Sequence, residues 1–170
     1  MSAIPEEIVF DSPELAALHE AGHVSLAIAC GARVVEVELY REAPRSRGRT
    51  RVERTEEQRF TIAVGGLAAE IRLYQARRLR RTDGSEPTEA EFVRYALGTN
   101  AADDKVRFYG TDLTGKDGCW PEEKDRAFRD FAFRKAKELD WPQVERVAAQ
   151  LLSVGFMDEA QVLDALGLPH

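Results

Sequence analysis

The stretch SPELAALHEAGHVSLAIACG, Ser12 to Gly31, decides how the rest of the chain is read. A hydroxyl residue followed by proline is a helix start: Ser12 can cap the first free amides, and Pro13 has no amide to leave unsatisfied. Gly31 is the matching stop. Between them, small and apolar residues lie around most of the helical circumference, so the predicted helix Pro13 to Cys30 is buried on more than one side. A buried helix that also carries two histidines and a glutamate is not an ordinary core element.

Downstream, Val34 to Tyr40 alternates, with Val35, Val37 and Leu39 on one face and Glu36 and Glu38 on the other, as in a strand with one wet face. A basic stretch, REAPRSRGRTRVER, follows as a loop whose Thr50 to Glu53 part pairs back as a second strand. Thr55 and Gln58 have capping-box spacing and open a long helix to about Leu79, with Gly65 and Gly66 in its middle. Two glycines there make sense where another backbone packs close. Thr88 and Glu91 form a second capping box for a helix to about Leu97. A short helical segment covers Asn100 to Tyr109, and three helical patterns finish the chain: Pro121 to Leu139, Pro142 to Ser153 and Asp158 to Leu166. The first ten residues read as a loose arm or a first strand. The expected fold is mostly α (α+β), with a small two- or three-stranded sheet, in a single domain spanning 1–170.

Composition narrows the function classes. In 170 residues, 44% hydrophobic and 32% charged, there is enough apolar material for one real core and no sign of disorder. The longest uncharged apolar run, Val24 to Ala32, is too short for a membrane span. The start MSAIPEEIVFDSPE lacks the basic and apolar regions of a signal peptide, and Cys30 and Cys119 do not make a disulfide framework, so a cytoplasmic location is expected. The net charge of −6 argues against a general nucleic-acid binder.

The chemistry lies in HEAGH, His19 to His23. Residues i and i+4 of a helix share a face one turn apart, so both imidazoles can hold one metal ion. Glu20, beside His19, can reach a water on that ion without being a ligand and take its proton. This is the HExxH arrangement of zinc peptidases. The alternative, a buried glutamate between two core histidines, is costly unless the charges are paired. A catalytic zinc needs a third protein ligand. His170 ends a tail, Cys30 lies too far along the same helix, and Cys119 lies in a loop and stays open, so the third ligand is a carboxylate or a cysteine.

With HEAGH, the strand VVEVEL, the segment IAVGGLAAE (Ile62 to Glu70), the segment NAADD (Asn100 to Asp104) and the closing WPQVERVAAQLLSVGFMDEAQVLDAL, the chain resembles the protease domain of the FtsH-type ATP-dependent zinc metalloproteases. The resemblance runs thinly over Ala16 to Leu166 and is specific mainly at HEAGH. It implies a helical zincin-like peptidase domain, Zn2+ as cofactor, and an aspartate as third ligand that falls on Asp104. Asp103, one residue out of register, and Glu70, the type of third ligand used by another HExxH class, remain alternatives, although Glu70 reads better as a residue that supports the ligands or packs the helix and Asp103 also reads as a solvated charge or helix cap. The chain carries neither the family's ATPase module nor membrane helices, and Leu67 stands where the family has arginine. The implied substrates are therefore peptides or unfolded proteins, with a homo-oligomer or an ATPase partner in trans as further possibilities.

Two competing readings remain: a non-catalytic adaptor that keeps the metal, and a nucleic-acid-linked regulatory domain using Arg45, Arg47, Arg49, Arg51 and Arg54. A second basic cluster, Arg77, Arg78, Arg80 and Arg81, reads as cations at a helix C-terminus. GTDLTGKD, Gly110 to Asp117, resembles a P-loop but ends in Asp117, where a hydroxyl should bind magnesium, so no ATP binding is expected. Phe128, Phe131, Phe133 and Trp141 read as core. For a peptidase, the sheet edge near Val35 to Leu39 is the expected place for an extended substrate to add as a strand.

Overall fold

The computed structural model describes residues 3–42 and 44–170. Helix α1, Pro13–Ala29, is the axis of the molecule. Ser12 caps it, its hydroxyl accepting from the Leu15 amide at 3.1 Å, and every residue from Leu15 to Ala27 is buried. Around α1 pack β1 (Ile8–Val9), β2 (Arg33–Tyr40), β3 (Arg47–Glu53), α2 (Glu56–Ala63), α3 (Gly65–Gln75) and, from the C-terminal part, α7 (Trp141–Val154). The remaining elements are β4 (Leu79–Arg80), α4 (Glu89–Tyr95), a π-helical turn (Ala96–Asn100), α5 (Ala102–Tyr109), α6 (Glu122–Ala136), β5 (Phe156–Asp158) and α8 (Glu159–Leu166). The fold is mostly α with little sheet, as the sequence indicates.

The main sheet has the order β3-β2-β5, with both pairings antiparallel. β2 is therefore the central strand, and its backbone edges are used on both sides. This overturns the expectation that Val35 to Leu39 offers a free edge. β3, which also packs on α1, is an edge strand: among the described residues it pairs with β2 alone. β3 also begins at Arg47, so Arg47, Arg49 and Arg51 lie on a strand and not in a loop. On its outer face, Arg49 and Arg51 stand opposite Glu38 and Glu36 of β2.

The helix expected from Thr55 to Leu79 is two helices. The Thr55–Gln58 capping box is present, but the first helix ends at Ala63 and the second starts at Gly65. The break lies where α3 crosses α1. A β-carbon on Gly22 would run into the Gly65 carbonyl oxygen, and one on Gly65 would sit 2.6 Å from the His23 Cα. The glycines let the two backbones touch. The chain then leaves α3 through Arg77 in the left-handed region, φ 58°, and Leu79 pairs in parallel with Ile8 of β1. The second arginine cluster is therefore not a set of helix-end cations. Arg77 pairs with Glu86, Arg78 with Glu145, Arg80 with Glu7 and Arg81 with Glu91.

The Thr88–Glu91 capping box is present as well, and Asp158 with Gln161 forms a third at α8. Phe128 is fully buried, whereas Phe133, expected in the core, is 47% exposed. The P-loop-like stretch Gly110–Asp117 is irregular, and the next helix begins at Glu122. Among the described residues, no helix is long and apolar enough to cross a membrane.

Candidate metal centre

His19 and His23 project from α1 toward the crossing with α3. A β-carbon on Gly66 would collide with the His19 imidazole, so the ring rests directly on the first turn of α3. Asp104 reaches the same point from the first turn of α5, where the helix dipole favours a carboxylate. The His19 Nε2 lies 3.0 Å from Asp104 Oδ2, the His23 Nε2 lies 3.2 Å from the same oxygen, and the two Nε2 atoms are 3.2 Å apart. All three side chains are buried. His19, His23 and Asp104 thus form a buried group that can hold a metal ion.

The far sides of the rings fix which atoms face that point. His23 Nδ1 is 2.7 Å from the Ile62 carbonyl oxygen, which only accepts, so Nδ1 carries a proton and donates. His19 Nδ1 is 2.6 Å from Glu70 Oε1 and donates to that carboxylate. A neutral ring with a proton on Nδ1 turns the Nε2 lone pair to the centre. Two lone pairs and a carboxylate oxygen then converge, an arrangement satisfied by a cation. Two Nε2 protons facing each other at 3.2 Å would repel.

Without an ion, the charges press protons onto the histidines. Burial opposes a charge on His19, but hydrogen bonds to Asp104 and Glu70 outweigh it and hold its pKa well above the ordinary value. His23 is raised in the same way: burial works against it, and the Asp104 charge prevails. Burial alone would raise Asp104, yet the neighbouring His23 and His19 hold its carboxyl far below the usual carboxylate range.

Glu70 is not in the ligand group; it stands behind His19. Its Oε1 also accepts from Asn100 Nδ2 at 2.8 Å, and Arg45 Nη2 donates to Asn100 Oδ1 at 2.6 Å. In this chain of contacts, Arg45 to Asn100 to Glu70 to His19, the supporting place of Glu70 is the expected one, while Asn100 and Arg45 are not announced by the sequence. The π-helical turn places Asn100 in it, and such turns recur where a fold positions a working residue. Glu70 Oε2 is buried without a partner. A lone glutamate in the otherwise small and apolar run GGLAAE was the available signal that hydrogen-bond donors lie nearby.

Asp103 is exposed and lies on the wall of a neighbouring cavity, away from the ligand triangle. His170 pairs with Asp164 at 2.6 Å on the surface, Cys119 is exposed in its loop, and the Cys30 thiol lies 3.4 Å from the Ala27 carbonyl. None of these joins the group.

Glu20 opens into that cavity, of ≈ 260 Å³, which His19, Tyr95 and Asn100 also line. Thr50 Oγ1 of β3 donates to Glu20 Oε2 at 2.6 Å, and Gly48 leaves the space its side chain fills. One carboxylate oxygen is thus held by β3, and the side chain is placed beside, not within, the ligand group.

No protein-family model matches the chain, and no curated protein matches it.

Proposed function

We propose that the chain is a zinc-dependent metalloendopeptidase of the HExxH type, similar to the protease domain of FtsH-type enzymes, acting on peptides or unfolded proteins. The observation that carries this reading is the ligand triangle with Glu20 beside it. Three corners of a tetrahedron around a zinc ion with ligands at about 2.0–2.1 Å lie about 3.3 Å apart. The three donor atoms here are separated by 3.0–3.2 Å, and His2Asp is a borderline-soft donor set suited to zinc with one position left open.

When bound, the zinc supplies Lewis acidity, polarising a carbonyl and bringing water to a pKa near 7. His19, His23 and Asp104 would hold it, with Glu70 and the Ile62 carbonyl keeping the rings oriented. Glu20 takes the proton of the attacking water on its carboxylate and returns it to the leaving amine. Thr50 restrains one of its oxygens, leaving the other for that proton. The edge of β3 beside the site can pair with an extended substrate backbone.

Replacing Glu20 by Gln keeps the shape and removes the base. The zinc-loaded Glu20→Gln protein should retain its metal and lose peptide hydrolysis by about 100-fold or more. Substantial turnover by that variant contradicts the role of Glu20. Absence of turnover in the zinc-loaded native protein supports the adaptor reading instead.

A further inference from the structure

On the other side of the metal centre, β3 borders a second cavity of ≈ 280 Å³. His23 forms part of its wall, and Arg49, Arg51, Arg54, Arg59 and Arg107 surround it. Among the described residues, no acidic side chain lines it. In a chain with net charge −6, this is a local concentration of the opposite sign.

The carboxylates nearby are too few to neutralise it. Arg49 and Arg51 share Glu36, at 3.3 and 3.1 Å, and Arg49 also reaches Glu38 at 3.5 Å. Arg54 and Arg59 both rely on Glu56 at 3.5 Å, a residue whose side chain is 79% exposed. Arg59 Nε is buried with no partner. Arg107 donates to Asp104 Oδ1 at 3.1 Å, while Oδ2 of the same carboxylate belongs to the metal group. The guanidiniums thus hold unused donors in a cleft that shares a wall with the metal centre, where low-dielectric surroundings strengthen charge-assisted hydrogen bonds.

We infer that this cleft is a specificity pocket for a peptide carboxylate, so that the preferred substrate carries an acidic group a short distance from the bond cleaved, on the His23 side. The inference rests on the peptidase reading. A peptide paired along the β3 edge passes the metal centre, flanked by the Glu20 cavity on one side and the arginine cleft on the other. A side chain or a chain end fits a space of this size. The carboxylate can come from an internal Asp or Glu or from the C-terminus of the peptide.

The test uses the zinc-loaded full chain and internally quenched peptides. In one set, a single Glu or its Gln counterpart is walked through an amidated neutral peptide; in the other, the neutral peptide ends in a free acid or an amide. The expected result is a Glu-over-Gln or acid-over-amide preference of about tenfold or more in kcat/KM at one position. Which set shows it identifies the source. Arg51→Gln and Arg54→Gln should each move that ratio toward one, as should higher ionic strength. Fluorescence anisotropy with the Glu20→Gln protein reads binding without turnover and should show the same preference. Equal binding and equal cleavage of charged and neutral peptides overturns the pocket while leaving the peptidase intact. Selective binding of the acidic peptide with no cleavage by the native protein supports the pocket and removes the peptidase. Tighter binding of a single-stranded oligonucleotide than of any acidic peptide also overturns the inference.

Discussion

The crossing of α1 and α3 and the ladder of β2 and β3 flank the same site and are built on opposite principles. At the crossing, Gly22, Gly65 and Gly66 bring backbone against backbone and set His19 and His23 in a buried frame whose charged groups, Glu20, Glu70 and Asp104, are themselves buried. In the ladder, exposed arginines face half-buried glutamates across two strands, and the inward-facing Thr50 and Gly48 meet Glu20. The crossing fixes ligand positions through close packing, which tolerates almost no change in volume. The ladder positions charge, which is adaptable, screened by salt and weak pair by pair. On the proposed peptidase reading, the rigid crossing would fix the metal geometry while the adjustable charged ladder would leave substrate choice open.

The sharpest way to break this contrast is at the crossing. Gly22→Ala pushes a methyl group into the Gly65 carbonyl and should destabilise the fold by about 3 kcal/mol or more, measured by denaturant unfolding. A loss well under 1 kcal/mol would mean that the helices can separate freely. Next in size is Asp104→Ala, which removes one corner of the ligand triangle. Its loss of zinc affinity, measured by competition with a chromogenic chelator, should exceed the about 10–100-fold typical of residues that only orient a ligand. Asp103→Ala, at an exposed position, should leave affinity nearly unchanged. Asn100→Ala tests the contacts behind His19 and should weaken zinc binding by about tenfold through Glu70.

The pH dependence follows from the signs of the shifts. In the metal-free protein, His19 and His23 have raised pKa values, so their contribution to stability is full below the ordinary histidine pKa and is lost as pH rises through the raised values. The lowered Asp104 gives stability that is present above the ordinary aspartate pKa and fades only under strong acid. The metal-free melting temperature should therefore fall on going from mildly acidic to alkaline solution. Zinc affinity should rise over the same range, because binding displaces protons. The smallest effect belongs to the ladder: Arg51→Ala should shift the melting temperature by under about 2 °C, and less at high salt.

What the sequence revealed was what depends on neighbours along the chain. The Ser12 cap, both threonine capping boxes and the one-face spacing of His19 and His23 are local, and they are visible in the letters. The break at Val64 was not, because it comes from a crossing between segments some forty residues apart; the glycine pair announced a close approach but not a new helix. The strand order was hidden for the same reason. β5 is three residues long, and its pairing with β2 is what turns the expected free edge into a central strand. Resemblance pointed to Asp104, and the fold places that side chain against the two imidazoles. The Asn100–Glu70 contact depends on a π-helical turn that no local pattern announces. The arginine cleft draws on β3, α2 and α5 together, so a run of basic letters could show only part of it.

The central claim is that His19, His23 and Asp104 form one built metal site. Elemental analysis of the purified native protein and of Asp104→Ala, each loaded with zinc and then dialysed extensively without chelator, tests it most directly. One zinc per chain is expected in the native protein and almost none in the variant. A native protein that retains no zinc, or a variant that retains as much as the native protein, would contradict it.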